Sequence, residues 1–493
     1  MMKLLLTFLP LWFAGFSVFA QNEKTKNAYT ETVQVHINTD FLITGETLYY
    51  SIHCLDAQKG VYSTLSKLAY VELIGENERP FLQSKVSLTD GRGAGDFFLP
   101  STLPSGNYTL ISYTKWMRNF EVENFFQQQI TIINPYLKSS SGTRPQTGQS
   151  IAATSSGKRI KNETKHVQIT SDKKKYSPRQ KVIVTIKNND PVHHGKISLN
   201  VHKDDVGVLK TESSEHTAIQ PSVNPSKRER VIFPPDLRGE TIGGVVTEIS
   251  SGRAIANAVI YLSIPGSSNI FQISKTDSTG RFYFNAKNIQ AQDGLLFQAD
   301  PSVMAPVNII LDHEFVDDYK SFKPQSLSID TSMRARIEQR NVYGQIENAY
   351  FIKKRDSILT QAQKLLFDTP DKVYRLDDFT RFPTMEDIFR EYMYEVAVSK
   401  HDGKFLLRLL NSTTKNGARF VNTPLLLMDG IPIFDTEILM SYNPLLIKTV
   451  SFITRPYVFG GILYDGILSA NTYTGKAKEL MVKPIRQEYT SWQ

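Results

Sequence analysis

Three aspartates in the C-terminal part of the chain come closest to a catalytic set. Asp429, Asp435 and Asp465 share one stretch of sequence, and two carboxylates held at a fixed separation across a cleft can hydrolyse a glycosidic bond. Glycine directly follows Asp429 and Asp465, however, and Asp-Gly is a pair typical of turns between strands. We therefore interpret these aspartates as turn residues and predict no catalytic residue.

Histidines and a second acidic group raise the question of a metal site. No acid or cysteine stands at a metal-ligand spacing from His193-His194 or His202, so we interpret them as loop histidines. The pairs Asp377-Asp378 and Glu386-Asp387 are acidic enough to bind a cation, but helix capping and solvent exposure explain such residues by default. We expect neither a metal nor a cofactor.

Other catalytic motifs are absent from the sequence. It has no phosphate-binding loop, no G-x-S-x-G, no H-E-x-x-H and no C-x-x-C. Its one cysteine, Cys54, lies in the strand-like run Leu48 to Leu55 and reads as a small buried hydrophobe. The sequence therefore predicts a protein that is not an enzyme, with a hydrolase of unrecognised site as an alternative.

Length and composition indicate a multidomain globular protein. The 493 residues suffice for about three to five domains of roughly 100–150 residues. The formal net charge is +8, and the positive charges are scattered apart from runs at Lys173 to Lys175 and Lys227 to Arg230. We interpret both runs as solvated loops or strand edges and predict no nucleic-acid partner. Attraction to an anionic membrane surface stays open.

The first twenty residues resemble a secretory signal. Lys3 precedes an apolar stretch, and Val18-Phe19-Ala20 forms a small-residue cleavage site. The apolar stretch is short for a spanning helix, and no cysteine follows the site. We expect an exported protein, in the periplasm or associated with the outer membrane, with no transmembrane span of its own.

Residues 21–138 read as an all-β domain. Val33, Val35 and Ile37 alternate with polar residues, and short strands separated by turn signals indicate a sandwich. An ordered set of motifs resembles the macroglobulin-type (MG2-like) domain of secreted Bacteroidetes proteins: Gly45-Glu46, Ser66 to Leu68, Tyr70 to Leu73, Asp90-Gly91 and Leu103 to Asn119. The Cys-Gly-Glu-Gln thioester motif of α-macroglobulins is absent, so the resemblance does not imply that chemistry.

Two further stretches lead to a third domain. Residues 139–165, rich in Ser, Thr, Gly and Gln, predict a flexible linker. Residues 166–236, with Tyr176-Ser177-Pro178 and Val182 to Ile186, look like a second macroglobulin-like sandwich, either truncated or completed by later strands. Residues 237–315, with Gly243 to Val246 and a turn from Asp277 to Gly280, resemble the carboxypeptidase-regulatory-like domain. That family implies a small prealbumin-like sandwich without activity.

Residues 316–375 predict a helical connector that lies on a neighbouring domain. Ile337, Val342, Ile346 and Tyr350 fall near helical spacing, and Ile358 to Leu366 continue the pattern.

Residues 376–478 predict a small α+β domain. Thr384 is a candidate N-cap for a helix that packs on a sheet, and its apolar stripe is Met385, Ile388, Phe389 and Tyr392. We expect the first strands of the sheet to come from Val396, Val398 and Phe405 to Leu410.

The last part of that domain carries a family resemblance. Asp429 to Pro432, Asn443 to Ile447, and Tyr457 to Gly460 followed by Gly466-Ile467 resemble the plug domain of TonB-dependent outer-membrane receptors. A receptor barrel needs many strands of roughly ten residues, whereas only the tail 479–493 follows, and no clear TonB box precedes the domain. We therefore expect a plug-like domain that transports nothing through itself.

The predicted fold class is mainly β and multidomain, with serial β-sandwiches followed by a helical connector and a small α+β plug-like domain. We predict a non-enzymatic envelope scaffold that docks through its plug-like domain on a ligand or on an outer-membrane or periplasmic protein, such as a barrel. An accessory component of TonB-dependent uptake, acting with a separate barrel, is the alternative. The candidate interaction residues are Trp116, Arg118, Phe120, Asp429, Tyr457 and Phe459.

Overall fold

The computed structural model describes residues 30–137, 167–177, 180–189, 233–264, 270–286, 295–324, 334–350, 367, 369–475 and 485–487. Within these residues the chain is mainly β and divided into several sheets, which confirms the predicted fold class. The predicted signal (1–20) and linker (139–165), the three candidate histidines, the basic run at 227–230 and the helical continuation at 358–366 lie outside the described residues.

The first module is a sandwich of two sheets. Its strands are β1 (Glu31–Ile37), β2 (Phe41–Ile43), β3 (Thr47–Asp56), β4 (Leu68–Ile74), β5 (Pro80–Ser87), β6 (Arg92–Phe98), β7 (Gly106–Tyr113) and β8 (Phe126–Ile133). The sheets have the orders β1-β3-β6 and β2-β8-β7-β4-β5, and only β2 and β8 pair in parallel. Side chains from both sheets form one core, so the predicted sandwich is confirmed. Cys54 is fully buried in that core.

Between the first module and residue 233 the structure describes one hairpin. It pairs β9 (Val167–Ser171) with β10 (Val184–Asn188). A complete second sandwich over residues 166–236 stays a prediction.

The third module is a smaller sandwich. Its strands are β11 (Glu240–Glu248), β12 (Val259–Ile264), β13 (Ile270–Lys275), β14 (Arg281–Ala286), β15 (Leu295–Ala299) and β16 (Val307–Leu311), joined by β26 (Ile485–Gln487). The sheet orders are β14-β11-β16 and β13-β12-β15-β26, around one shared core. Asp277 and Gly280 form the expected turn before β14, because the Asp277 carboxylate accepts from the backbone of Thr279 and Arg281.

A helix, α1 (Arg334–Tyr350), packs against strand β2 of the first module. The expectation that a helix here lies on a neighbouring domain is met, but the contact face differs from the predicted stripe. Ile337 is buried against Phe41 and Ile43, whereas Val342 and Ile346 are about half exposed. The contacting face is mostly polar, as described below.

The C-terminal module, residues 369–475, combines a five-stranded sheet with helices. Its elements are β17 (Lys372–Arg375), α2 (Met385–Tyr392), β18 (Val396–His401), β19 (Lys404–Leu409), β20 (Leu425–Met428), β21 (Ile431–Ile433), α3 (Thr436–Met440), β22 (Ile447–Ile453), β23 (Tyr457–Phe459), β24 (Ile462–Tyr464) and β25 (Ile467–Thr472). The sheet order is β17-β22-β25-β20-β21, with β20 and β25 parallel.

Helix α2 forms as the sequence predicts. The Thr384 hydroxyl accepts from the backbone N–H of Asp387, and Met385, Ile388 and Phe389 pack into the core that lies on the sheet. The prediction for the first strands is wrong in one respect. Strands β18 and β19 pair only with each other and leave β17 as the sheet's first strand. Their apolar face covers the same core from outside the sheet.

Candidate functional site

The six candidate interaction residues lie in three separate places. Trp116, Arg118 and Phe120 belong to the first module, Asp429 lies inside the C-terminal module, and Tyr457 and Phe459 lie on strand β23. The structure therefore does not bring the six together into one surface.

Arg118 joins the first module to segments on either side of the third module. Its guanidinium donates to the carbonyl oxygens of His313 (3.0 Å) and Glu314 (3.3 Å) and lies 4.1 Å from the centre of the Phe233 ring. The side chain is only 5% exposed. Its donors are thus used within the chain. The rings of Trp116 and Phe120 pack edge to face beside it, at 6.0 Å.

A buried ion-pair network continues this contact, and we call the whole contact the first joint. Lys85 is fully buried, and its ammonium group lies 2.7 Å from a carboxylate oxygen of Glu240 and 2.9 Å from one of Glu314. Glu240 opens strand β11, and Glu314 follows strand β16. Because an unpaired buried charge is strongly unfavourable, Lys85 fixes both ends of the third module on strand β5.

The first joint also contains a carboxyl group with a perturbed pKa. Asp236 is fully buried and accepts from the Tyr70 hydroxyl (3.0 Å) and the backbone N–H of Thr241 (2.7 Å). Burial raises its pKa to about 6, with the positive charge of Lys115 acting in the opposite direction. Burial likewise raises the pKa of Glu72, which accepts from three side chains, among them Tyr319 beyond the third module.

Asp429 lies in a turn, as the Asp429-Gly430 pair predicts. Its carboxylate accepts from the backbone N–H and the hydroxyl of Thr472, both at 2.7 Å, and it is 6% exposed. A φ of 49° at Asp429 and 78° at Gly430 reverses the chain between β20 and β21. The side chain therefore holds the turn against strand β25.

Tyr457 and Phe459 form a second joint, between the third and C-terminal modules. Phe459 stacks on Phe271 of the third module at 5.5 Å, and Phe367 packs edge-on against Tyr457 at 5.7 Å. The hydroxyl groups of Tyr464 and Tyr261 lie 3.2 Å apart. This aromatic cluster encloses a buried group from both modules, which consists of Tyr261, Phe271, Leu425, Leu427, Ile453 and Ile467.

Sequence reasoning missed the apolar side chains that the C-terminal module exposes. Val458 and Leu463 face each other across the β23–β24 hairpin and are 68% and 64% exposed. At the other end of the sheet Leu445, Leu446 and Tyr473 are each about half exposed. The sequence does contain a signal for the exposed hairpin: Tyr457 to Phe459 and Ile462 to Tyr464 are all apolar or aromatic, so the hairpin has apolar side chains on both faces.

The acidic candidates have ordinary structural partners. Asp435 caps helix α3, Asp465 accepts from Asn422, and Asp377 accepts from Arg381. Among the described residues no three His, Cys, Asp or Glu side chains are grouped so that they could hold a metal ion. No helix in the described part of the chain is long and apolar enough to cross a membrane.

Comparisons with known proteins give only remote structural likeness. No protein-family model and no curated protein matches the chain. Salmonella alpha-2-macroglobulin reacted with methylamine aligns at 9% identity and a TM-score of 0.17, over 58% of this chain and 14% of that protein. The native conformation of Escherichia coli alpha-2-macroglobulin aligns at 10% identity and a TM-score of 0.18, over 61% and 16%. The chain thus spans less than a fifth of either protein.

Proposed function

We propose that the chain is a non-enzymatic, exported scaffold of the cell envelope whose C-terminal module docks on an outer-membrane protein. The observation that supports this most is the pair of buried joints, one ionic and one aromatic, that hold the first, third and C-terminal modules in series. Four of the six candidate residues, Arg118, Asp429, Tyr457 and Phe459, contribute to internal contacts. The docking surface is therefore sought among exposed side chains.

The surface that fits best is the end of the five-stranded sheet opposite the second joint. Ile447 pairs with Thr472 at this end, while Ile453 and Ile467 at the other end reach the second joint. Beside the Ile447–Thr472 pair lie Leu445, Leu446 and Tyr473, which we call the distal patch.

The distal patch has the composition of a protein interface. Leu445 is 58% exposed, and Leu446 and Tyr473 are each 49% exposed. Arg381 donates to the Tyr473 hydroxyl at 2.9 Å, and the same hydroxyl donates to Asp377. Tyrosine and arginine around an apolar centre are enriched where proteins bind proteins.

Photo-crosslinking in intact cells tests this function. A benzophenone amino acid at Leu445 is expected to give an adduct with an outer-membrane protein, identified by mass spectrometry after fractionation. The matched control is Val421, which is 77% exposed on the same module. It lies at the other end of the sheet, because the neighbouring Asn422 bonds to Asp465, which directly precedes β25. Equal labelling from both positions, or no adduct from Leu445, contradicts the docking surface. A TonB-dependent barrel in the adduct would favour the accessory role in uptake.

A further inference from the structure

A cavity of about 650 Å³ lies between the first module and helix α1, far in sequence from the distal patch. The module contributes the turn at Gly45-Glu46, the end of β6 and residues 136–137, and the helix contributes one face. The volume falls in the range of about 300–1,000 Å³ that small-molecule sites occupy.

The helix is held on the module at two points, with an opening between them. Arg340 pairs with both carboxylate oxygens of Glu46, at 2.7 and 2.9 Å, and Asn348 donates to the carbonyl of Gly45 at 2.7 Å. Gly344 lies one turn from each of these residues, and a Cβ there would meet nothing within 4 Å. Glycine inside a helix is less stable than alanine, so the absent side chain costs the helix stability and leaves the cavity open.

The lining provides two exposed aromatic side chains, of which Tyr136 is held by hydrogen bonds. The Tyr136 hydroxyl donates to the Asn341 side-chain oxygen at 2.9 Å and accepts from the Gln345 amide at 2.8 Å. The residue Tyr136 is 53% exposed and Phe98 is 55% exposed. Two amides one helical turn apart thus orient an aromatic surface that water still reaches.

The charges in the lining cancel. Among the described residues of the lining, Glu46 and Arg340 are the only acidic and basic side chains, and they bind each other. Because the Glu46 carboxylate already binds the Arg340 guanidinium through Nε and Nη2, an anionic ligand would compete with Glu46 for that positive charge. The lining therefore favours an uncharged ligand.

Such a ligand can also form hydrogen bonds. Beside the rings, the cavity presents hydroxyl and amide side chains at Ser101, Thr102, Asn341, Gln345 and Asn348. An amide both donates and accepts, and a hydrocarbon chain would pair with none of these groups. A peptide strand is disfavoured because Arg340 already occupies the carbonyl of Phe41 on the β2 edge, at 3.0 Å.

We propose that this cavity binds a neutral saccharide. A sugar ring has an apolar C–H face that packs on an aromatic ring and hydroxyl groups that pair with amides, and it carries no charge. Its ring would pack on Tyr136 or Phe98, and its hydroxyls would bond to the amides of helix α1. This assigns a glycan-binding role to the first module, independent of the docking surface on the C-terminal module.

Calorimetric titration of the purified full chain tests the site, with maltohexaose, cellohexaose, xylohexaose and mannohexaose as probes and trigalacturonate as the anionic comparison. We expect at least one neutral oligosaccharide to bind. Gly344→Leu, which fills the cavity, and Tyr136→Ala, which removes a ring, should each weaken its binding at least tenfold. Gly344→Ala is the matched control and should bind within about threefold of the natural chain.

Stability separates an occupied cavity from a damaged fold. Both changes at Gly344 replace a mid-helix glycine, so neither should lower the denaturation midpoint. The proposal is overturned if no neutral probe binds at millimolar concentration, if Gly344→Leu leaves binding unchanged, or if only the anionic probe binds.

Discussion

The second joint can be tested with two adjacent glycines. Gly460 has a φ of 58°, and a Cβ placed on it would lie 2.5 Å from the Cβ of Ile273 in the third module. Gly461 has a φ of 78°, but a Cβ there would meet nothing within 4 Å. Gly460→Ala therefore combines backbone strain with a clash across the joint, whereas Gly461→Ala brings the strain alone.

The backbone strain and the clash each lower the free energy of unfolding, and only the clash is specific to position 460. Placing alanine in the left-handed region costs about 1–2 kcal/mol at either position. Overpacking adds about 1–3 kcal/mol at position 460, because the Ile273 Cβ is attached to strand β13 and cannot rotate away. We expect Gly460→Ala to be less stable than Gly461→Ala by that second amount.

Two measurements check this difference. Denaturant unfolding gives the free energies, and amide hydrogen exchange shows where the structure opens. Gly460→Ala should speed exchange in both β23–β24 and β13, whereas Gly461→Ala should leave β13 unchanged. Equal stabilities within about 0.5 kcal/mol together with unchanged exchange in β13 would refute the packing of these modules against each other.

Three further predictions concern other contacts. Lys85→Ala should lower stability by about 3–5 kcal/mol in denaturant unfolding because it removes a buried ammonium group that lies against the carboxylates of Glu240 and Glu314, whereas Lys59→Ala, at a 72% exposed side chain, should change it by at most about 1 kcal/mol; similar losses would contradict the first joint. Asp236 has a folded-state pKa of about 6 against an ordinary 3.8, so its stabilising contribution is complete below about pH 4 and is lost as the pH rises through 6. Asp236→Asn should therefore gain about 2 kcal/mol relative to the natural chain between pH 4 and 7, and a constant difference across that range would be the opposing result. Thr384→Ala should cost about 1 kcal/mol in the same unfolding assay through loss of the α2 cap, and an unchanged midpoint would count against that cap.

Local signals in the sequence identify elements well where one physical effect dominates. The Thr384 cap and the apolar stripe after it predict helix α2. The segment Asp277 to Gly280 and the pair Asp429-Gly430 predict turns, and both turns are found where expected. In each case the residues that decide the conformation are neighbours in the chain, so the sequence contains the whole cause.

Contacts between modules could not be predicted from the sequence, because the residues that form them have the pattern of a solvent-facing surface. Strand β4 alternates apolar residues with Tyr70 and Glu72, which is typical of a strand with one wet face. All seven of its residues are nevertheless buried, because the segments around the third module cover that face. Helix α1 is similar, since its contact face carries Arg340, Asn341 and Gly344 rather than an apolar stripe.

The two joints differ in what they specify. Lys85 must lie within ion-pair distance of Glu240 and Glu314 at once, and these residues stand at opposite ends of the third module's chain. A shift of the module would leave at least one buried charge unpaired, so the ionic joint admits one arrangement. The aromatic joint has no comparable penalty, because stacked and edge-on rings exchange at small cost. We therefore infer that the first joint sets the position of the third module, and that the second joint supplies adhesion to the C-terminal module, with Gly460 fixing how closely the two approach.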